Sequence, residues 1–167
     1  MKEHVLVIVK PDGITKGLVG QIIDKFFFAD LELIAAKVLI VSKALAEEHY
    51  KHIKGKSFYD DVIKYLLGKY HNQRRVVALI YSGPNAIRKC RDLAGETNPE
   101  LAIATSIRGS LGRITTKGVF ENVIHVSSDP KEAEREIKLW FEPSQIDEEL
   151  YSTKEVVLKG YRKKIWR

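Results

Sequence analysis

Five histidines supply the imidazoles of this 167-residue chain, the side chains that ionise nearest neutral pH, and their settings differ. His4 stands at the chain start, His49 and His52 lie in a charged stretch with helical character, and His71 lies in a polar loop. All four are read as solvated. His125 instead ends the run Val119 to Val126, just before a helix start at Asp129. A strand end that faces a helix N-terminus suits anion chemistry, because free backbone N–H groups and the helix dipole favour negative charge there. A neutral imidazole keeps one ring lone pair as a nucleophile if a partner holds the proton on the other nitrogen. Glu136, bordering the Ala133–Ile137–Trp140 face of the next helix, is within reach of His125 or Ser127. The same pair also fits a core histidine bonded to backbone beside a solvated glutamate, and alone it does not choose between the two. Arg91, Thr97 and Arg108 would clamp phosphate oxygens if they converged, which their spacing does not reveal.

Other chemistries drop out by inspection. There is no Gly-x-x-x-x-Gly-Lys-Ser/Thr, no Gly-x-Gly-x-x-Gly after the first strand and no His-Glu-x-x-His. The single cysteine, Cys90, makes neither an intramolecular disulfide nor a cysteine-rich zinc site. A metal held mainly by protein side chains is not expected.

The elements that must position these groups alternate. Val5 to Val9 is a β-branched buried strand closed by a turn at Lys10-Pro11-Asp12-Gly13. Leu18, Ile22, Ile23 and Phe26 mark a helix from Gly17 to about Phe28, Leu31 to Val41 a strand, and Ala44 to about Ile53 and Phe58 to Leu67 two short helices. A strand over Val76 to Tyr81, a helix over Pro84 to Leu93, a strand over Val119 to Val126 and a helix over Asp129 to Phe141 follow. Residues 68 to 75 and 109 to 118 read as loops. The order predicts an α/β (α+β) chain of the ferredoxin-like split βαβ type, a four-stranded antiparallel sheet covered by helices on one face.

With 44% hydrophobic and 30% charged residues, the composition is that of a globular domain. The longest apolar run, Val5 to Val9, is far short of the roughly 20 residues that span a bilayer, and no basic-then-apolar leader opens the chain. A soluble, cytoplasmic protein without membrane contact is expected. The net charge of +6 is unevenly placed: from Tyr151 to Arg167 six basic residues face one acid, which leaves +1 for the rest. Residues 1–150 are therefore read as one near-neutral domain and 151–167 as a basic extension, whose Tyr161 and Trp166 would pack on the body or a neighbouring subunit.

In order along the chain stand Val9-Lys10-Pro11-Asp12-Gly13, Gly17-Leu18-Val19-Gly20-Gln21-Ile22-Ile23, Glu48-His49-Tyr50 and Ser57-Phe58-Tyr59. Gly95-Glu96-Thr97-Asn98-Pro99, Ser106-Ile107-Arg108-Gly109, Asn122-Val123-Ile124-His125 with Ser127, and Glu136-Ile137-Lys138-Leu139-Trp140-Phe141 follow. Together these segments resemble the nucleoside diphosphate kinases over residues 4 to about 142. The resemblance implies that the segments converge on one site, where His125 takes the γ-phosphate of a nucleoside triphosphate and passes it to a nucleoside diphosphate. It assigns Arg91, Thr97 and Arg108 to the phosphates, Lys10 and Asn122 to the sugar hydroxyls, and Phe58 with Val62 to the base. Tyr50 and Glu136 would orient His125, with Ser127 beside it. It implies Mg²⁺ held mainly by nucleotide phosphates and water, ATP, GTP and other nucleotides as substrates with little base preference, and a homo-oligomer, hexamer or tetramer. The chain departs from the family pattern at Val126, Ser128, Ser110 and Phe120-Glu121, and in longer loops near 68–75 and 111–120.

Two rivals are set beside this reading. A ferredoxin-like nucleic-acid-binding module would share the layout and the high pI, but the strands Val5 to Val9 and Val76 to Ile80 are aliphatic where such modules carry stacking aromatics, so nucleic acid is not expected as a partner. A catalytically weakened family member acting as an assembly subunit rests only on Val126 and Ser128.

Overall fold

In the computed structural model, which describes residues 2–158 and 160–167, Lys2–Val9 forms the central strand β1. The helix α1 (Pro11–Thr15) follows at once, then α2 (Val19–Phe27), β2 (Glu32–Ile40), α3 (Lys43–His49), a 3₁₀ turn (Lys51–Ile53) and α4 (Tyr59–Leu66). The chain continues through β3 (Arg75–Pro84), α5 (Ala86–Ala94), α6 (Ile107–Leu111), β4 (Arg113–Ile114), β5 (Phe120–Glu121) and β6 (Ile124–Val126). It ends in α7 (Pro130–Trp140), a second 3₁₀ turn (Pro143–Gln145), β7 (Thr153–Leu158) and β8 (Tyr161–Trp166). The main sheet has four strands in the order β2-β3-β1-β6, and every pairing in it is antiparallel. This is the ferredoxin-like arrangement. No helix among the described residues is long and apolar enough to cross a membrane.

Val5 to Val9 are all fully buried, because side chains of a central strand alternate between two covered faces. Val5, Val7 and Val9 pack with Val77, Leu79 and Tyr81 against Ile22 and Phe26 of α2 and Ile87 and Cys90 of α5. Leu6 and Ile8 pack on the other side with Ala78 and Ile80 against Ala46, Tyr50, Ile63 and Leu66. Helices thus cover both faces rather than one. An uninterrupted apolar run, as opposed to an alternating one, carries that information.

Four local expectations change. The turn after β1 is a one-turn helix started by Pro11. Pro84 ends β3, and α5 begins two residues later, after Asn85 at a φ of 54°. The stretch 109 to 118 contains the end of α6 and β4, which pairs with β5. The predicted strand Val119 to Val126 is broken at Asn122–Val123 because Val123 takes a φ of 55°, a conformation hostile to a β-branched residue. Two bonds hold it there: the Val123 N–H donates to Asp12 Oδ2 at 3.0 Å, and the Val123 carbonyl accepts from the Lys10 N–H at 2.8 Å. Gly13 permits this approach, since a Cβ there would lie 3.1 Å from the Val123 carbonyl oxygen and 2.9 Å from Val9 Cγ1.

The tail forms the β7–β8 hairpin. Its base is fixed to the body by Trp166, whose Nε1–H donates to the Phe141 carbonyl at 2.9 Å and whose ring lies 5.9 Å from that of Tyr151. The Tyr161 side chain lies outside the described residues.

Replacing Asp12 with Ala removes a fully buried acceptor and leaves the strained Val123 N–H without one. A loss of about 2 to 3 kcal/mol is expected, read as a lower urea midpoint at unchanged slope.

Candidate active site

β6 pairs with β1 so that His125 stands opposite Ile8, with Ile124 and Val126 buried on either side. The strand continues into Ser127, which is locked to β1: its N–H donates to the Leu6 carbonyl at 3.1 Å and its Oγ accepts from the Leu6 N–H at 3.2 Å. Asp129 caps α7, its carboxylate accepting from the Glu132 N–H at 3.0 Å, and Pro130 occupies the first helical position. Two turns on, this helix delivers Glu136 to the strand end. Both its carboxylate oxygens lie 3.0 Å from His125 Nε2, and Ser127 Oγ donates to Oε2 at 2.6 Å.

Glu136 is only 2% exposed. Burial pushes its pKa up, but His125, the Ser127 hydroxyl and Arg135 together outweigh that and hold it below the usual carboxylate range. An ionised carboxylate accepts only, so His125 Nε2 carries the proton and Nδ1 keeps its lone pair. Tyr50 packs edge-on with its ring 6.3 Å from that of His125, without a hydrogen bond to it among the described contacts. Burial, then the charge of Glu136, pushes its phenol well above its ordinary value.

Cations gather on the other side. Lys10 Nζ donates to Asn122 Oδ1 at 2.7 Å, and Asn122 Nδ2 donates to the Thr97 carbonyl at 2.9 Å. Burial, followed by the charge of Arg108, lowers the Lys10 pKa to about 7 against the pull of Asp12. Arg108 sits in the first turns of α6, which Ser106 caps by accepting from the Gly109 N–H at 3.1 Å. Its Nη1 donates to the Gly95 carbonyl at 2.8 Å and its Nη2 to the Ile124 carbonyl at 3.2 Å. Gly95, at a φ of 79°, has no room for a side chain, since a Cβ would fall 2.3 Å from Ser106 Oγ. Burial lowers the Arg108 pKa to about 10, with exposed Arg91 near enough to lower it further. The structure therefore brings together His125, Glu136, Ser127, Tyr50, Lys10, Asn122, Thr97, Arg108 and Arg91. Phe58 and Val62 share no described bond with them, but they stand on α4, whose Tyr65 ring lies 5.5 Å from Lys10 Nζ. Phe58 is 51% exposed, an open aromatic at the N-terminus of that helix.

The family model for nucleoside diphosphate kinase matches residues 3–146. The chain belongs to the nucleoside diphosphate kinase family. The nucleoside diphosphate kinase of Desulfitobacterium hafniense is 40% identical over 144 residues, covering 86% of this chain and 91% of that protein. That of Pyrococcus furiosus is 38% identical over 146 residues, 87% of each chain. Among solved structures, the Borrelia burgdorferi nucleoside diphosphate kinase with bound vanadate and ADP superposes with a TM-score of 0.79 at 33% identity, covering 89% of this chain and 92% of that one. The Halobacterium salinarum enzyme in complex with CDP superposes with a TM-score of 0.80 at 31% identity, covering 89% and 93%. The protein is accordingly a phosphotransferase with the function of a nucleoside diphosphate kinase.

Two histidines read as solvated are not. His49 is fully buried, accepts at Nδ1 from Trp140 Nε1–H at 3.1 Å, and packs its ring 4.4 Å from that of His125. Its spacing from Ala46, one turn earlier on the buried face of α3, was a usable signal. His71 has its Nε2 2.9 Å from Glu121 Oε1, where Arg113 and Lys16 also bind. Burial works against ionisation of Glu121, but these three partners lower its pKa to about 2 and tie the 68–74 turn to β5.

His49, His125 and Glu136 offer ligand atoms within 4.8 Å of one another. They do not make a metal cage in this nucleoside diphosphate kinase, because Trp140 occupies His49 Nδ1 and the proton on His125 Nε2 is held by Glu136.

Lys10 is poised near neutrality, so an arriving polyphosphate would draw a proton onto it. Nucleotide binding is expected to take up close to one proton at about pH 8 and almost none at about pH 6, where Lys10 is already charged. Calorimetry in buffers of different ionisation enthalpy reads this uptake, and Lys10→Met should abolish it.

Proposed function

We propose that His125 carries the phosphoryl group between nucleotides. Its Nδ1 lone pair attacks the γ-phosphorus of a nucleoside triphosphate, the bond to the β–γ bridging oxygen breaks, and the nucleoside diphosphate leaves with those electrons. A terminal phosphate oxygen of a second nucleoside diphosphate then attacks the phosphohistidine, the P–N bond breaks, and Nδ1 recovers its lone pair. The observation that carries this reading is the pair of 3.0 Å contacts from Glu136 to His125 Nε2, which leave Nδ1 as the free nitrogen. Glu136 and Ser127 orient the ring and stabilise the charge that develops on it, and Tyr50 limits its tilt. Arg91, Thr97 and Arg108 hold phosphate oxygens, while Lys10 and Asn122 bind the sugar hydroxyls, Lys10 adding charge near the transferred group.

The buried acids bordering this pocket are already engaged: Glu136 by His125 and Ser127, Asp12 by Val123, and Glu121 by Arg113, Lys16 and His71, while Glu96, near Arg108, is exposed. The donor set that remains is cationic, which fits a nucleotide that arrives as its Mg²⁺ complex with the ion held by phosphates and water. When bound, the ion would neutralise phosphate charge, leaving Arg91, Thr97, Arg108 and Lys10 to hold the nucleotide.

Phe58, with Val62 one turn on, offers a stacking surface and no edge-reading group, which supports broad base specificity. The ADP and CDP bound to the Borrelia and Halobacterium relatives support the same reading. Residues 1–150 form the kinase domain and 151–167 a basic extension, a division supported by the family match ending at residue 146. A homo-oligomer, hexamer or tetramer, is supported by the exposed Phe27 and Phe28 and by Val38 and Ile40 on the edge strand β2. The setting is cytoplasmic.

Incubation with γ-labelled GTP should yield an acid-labile, base-stable label that a second nucleoside diphosphate removes. His125→Asn should carry no label, and a label that persists would overturn the assignment. Phe58→Ala should weaken nucleotide binding by about 1 to 2 kcal/mol for purines and pyrimidines alike, checked by titration with ADP and CDP.

A further inference from the structure

His49 is a fully buried titratable group beside the nucleophile to which the mechanism above gives no part. Trp140 Nε1–H is a donor only, so at 3.1 Å His49 Nδ1 must be the acceptor. Burial, followed by the basic groups around it, keeps the ring from protonating, so its single proton sits on Nε2. That atom has no hydrogen-bond partner among the described residues. The remaining groups around the ring are Tyr50, edge-on at 4.6 Å, and Glu136, whose Oε1 lies 3.8 Å from His49 Nδ1. The end of α3 is tied to α7, because Arg135 donates to the carbonyls of Glu48 at 3.1 Å and His49 at 3.0 Å. With a proton on Nδ1 instead, His49 would be a donor 3.8 Å from the carboxylate that orients His125, a hydrogen bond that a small tilt of the ring would close once Trp140 no longer held it.

We propose that Trp140, by donating to His49 Nδ1, denies that histidine its competing hydrogen bond to Glu136 and so reserves the carboxylate for His125 and Ser127. Trp140 and His49 are positioning residues: neither touches substrate, and the pair acts through Glu136. The geometry also accounts for a histidine at this place, since an acceptor is what a buried indole N–H needs. The proposal rests on His125 being the nucleophile.

Removing the indole N–H in Trp140→Phe should let His49 move its proton to Nδ1 and bond Glu136. The rate of enzyme phosphorylation at saturating nucleoside triphosphate should then fall about tenfold, with nucleotide affinity within about twofold of the wild type. In Trp140→Phe/His49→Met the competitor is gone, and most of the lost rate should return. If the pair only fills space, the double variant will be slower than the single one, which overturns the proposal. Long-range ¹H–¹⁵N spectra of the unmodified protein test it without any variant: His49 neutral with its proton on Nε2 supports it, and a proton on Nδ1 or a charged ring overturns it. That spectrum is independent of the labelling of His125→Asn, so failure of the nucleophile assignment and failure of the Trp140–His49 role are told apart.

Discussion

The site depends on one strained residue whose backbone is held by two hydrogen bonds, one of them to a side chain. Val123 sits at a φ of 55° because its N–H is bound by the Asp12 carboxylate and its carbonyl by the Lys10 N–H. A β-branched residue does not adopt that conformation unaided, so the cost must be met by the fully buried Asp12 acceptor and the packing around it. The consequence is positional. The kink splits what would be one strand into β5 and β6, turns Asn122 toward Lys10, and lets Ile124 to Val126 run beside β1 with His125 at the end. A regular strand there would alternate residues by period two and point Asn122 and His125 to opposite faces.

The electrostatics follow from that arrangement. Lys10 and Arg108 are brought out of water before any anion is present, and burial leads the causes of the lowered pKa of each. Arg108 Nη1 and Nη2 are bound by the carbonyls of Gly95 and Ile124 and Lys10 Nζ by the Asn122 amide oxygen, all neutral groups, while Arg108 Nε has no partner among the described residues. Partners without charge leave the cationic field uncancelled for a ligand, whereas a carboxylate at the same distance would have cancelled it. The buried acids nearby are treated in the opposite way, each tied to its own donors.

How much of this could be read in the sequence depends on whether a placement was local. The approach of Glu136 to His125 was legible, because Asp129-Pro130 fixes the start of α7 and thus which residues face the strand end. The four strands and their antiparallel order followed from apolar runs and their spacing. The kink at Val123 was hidden, since no propensity marks a valine for positive φ and its cause, Asp12, lies more than a hundred positions away. The burial of His49 is hidden for a related reason: its neighbours Glu47, Glu48 and Lys51 are charged, and α7 docks on the face on which it lies. The hairpin β7–β8 has a local signal in Val156-Val157-Leu158 followed by Gly160, with a φ of 88° at that glycine, set in a segment whose high charge is equally compatible with a solvated tail.

The basic tail and the basic pocket illustrate the difference between charge that solvates and charge that acts. Arg162 and Lys164 on β8 are exposed and pair with Glu155 at 3.3 Å and Glu149 at 3.4 Å, contacts that water and salt screen. What fixes the hairpin to the domain is Trp166, which packs with Tyr151 against the cluster holding Ile137, Trp140 and Phe141 and donates its N–H to the Phe141 carbonyl, one residue past the end of α7. The tail therefore adds its net charge outside the site while bracing the helix that carries Glu136 and Trp140. Its mechanical link to the site runs through α7, and its electrostatic link is attenuated by solvent between exposed charges.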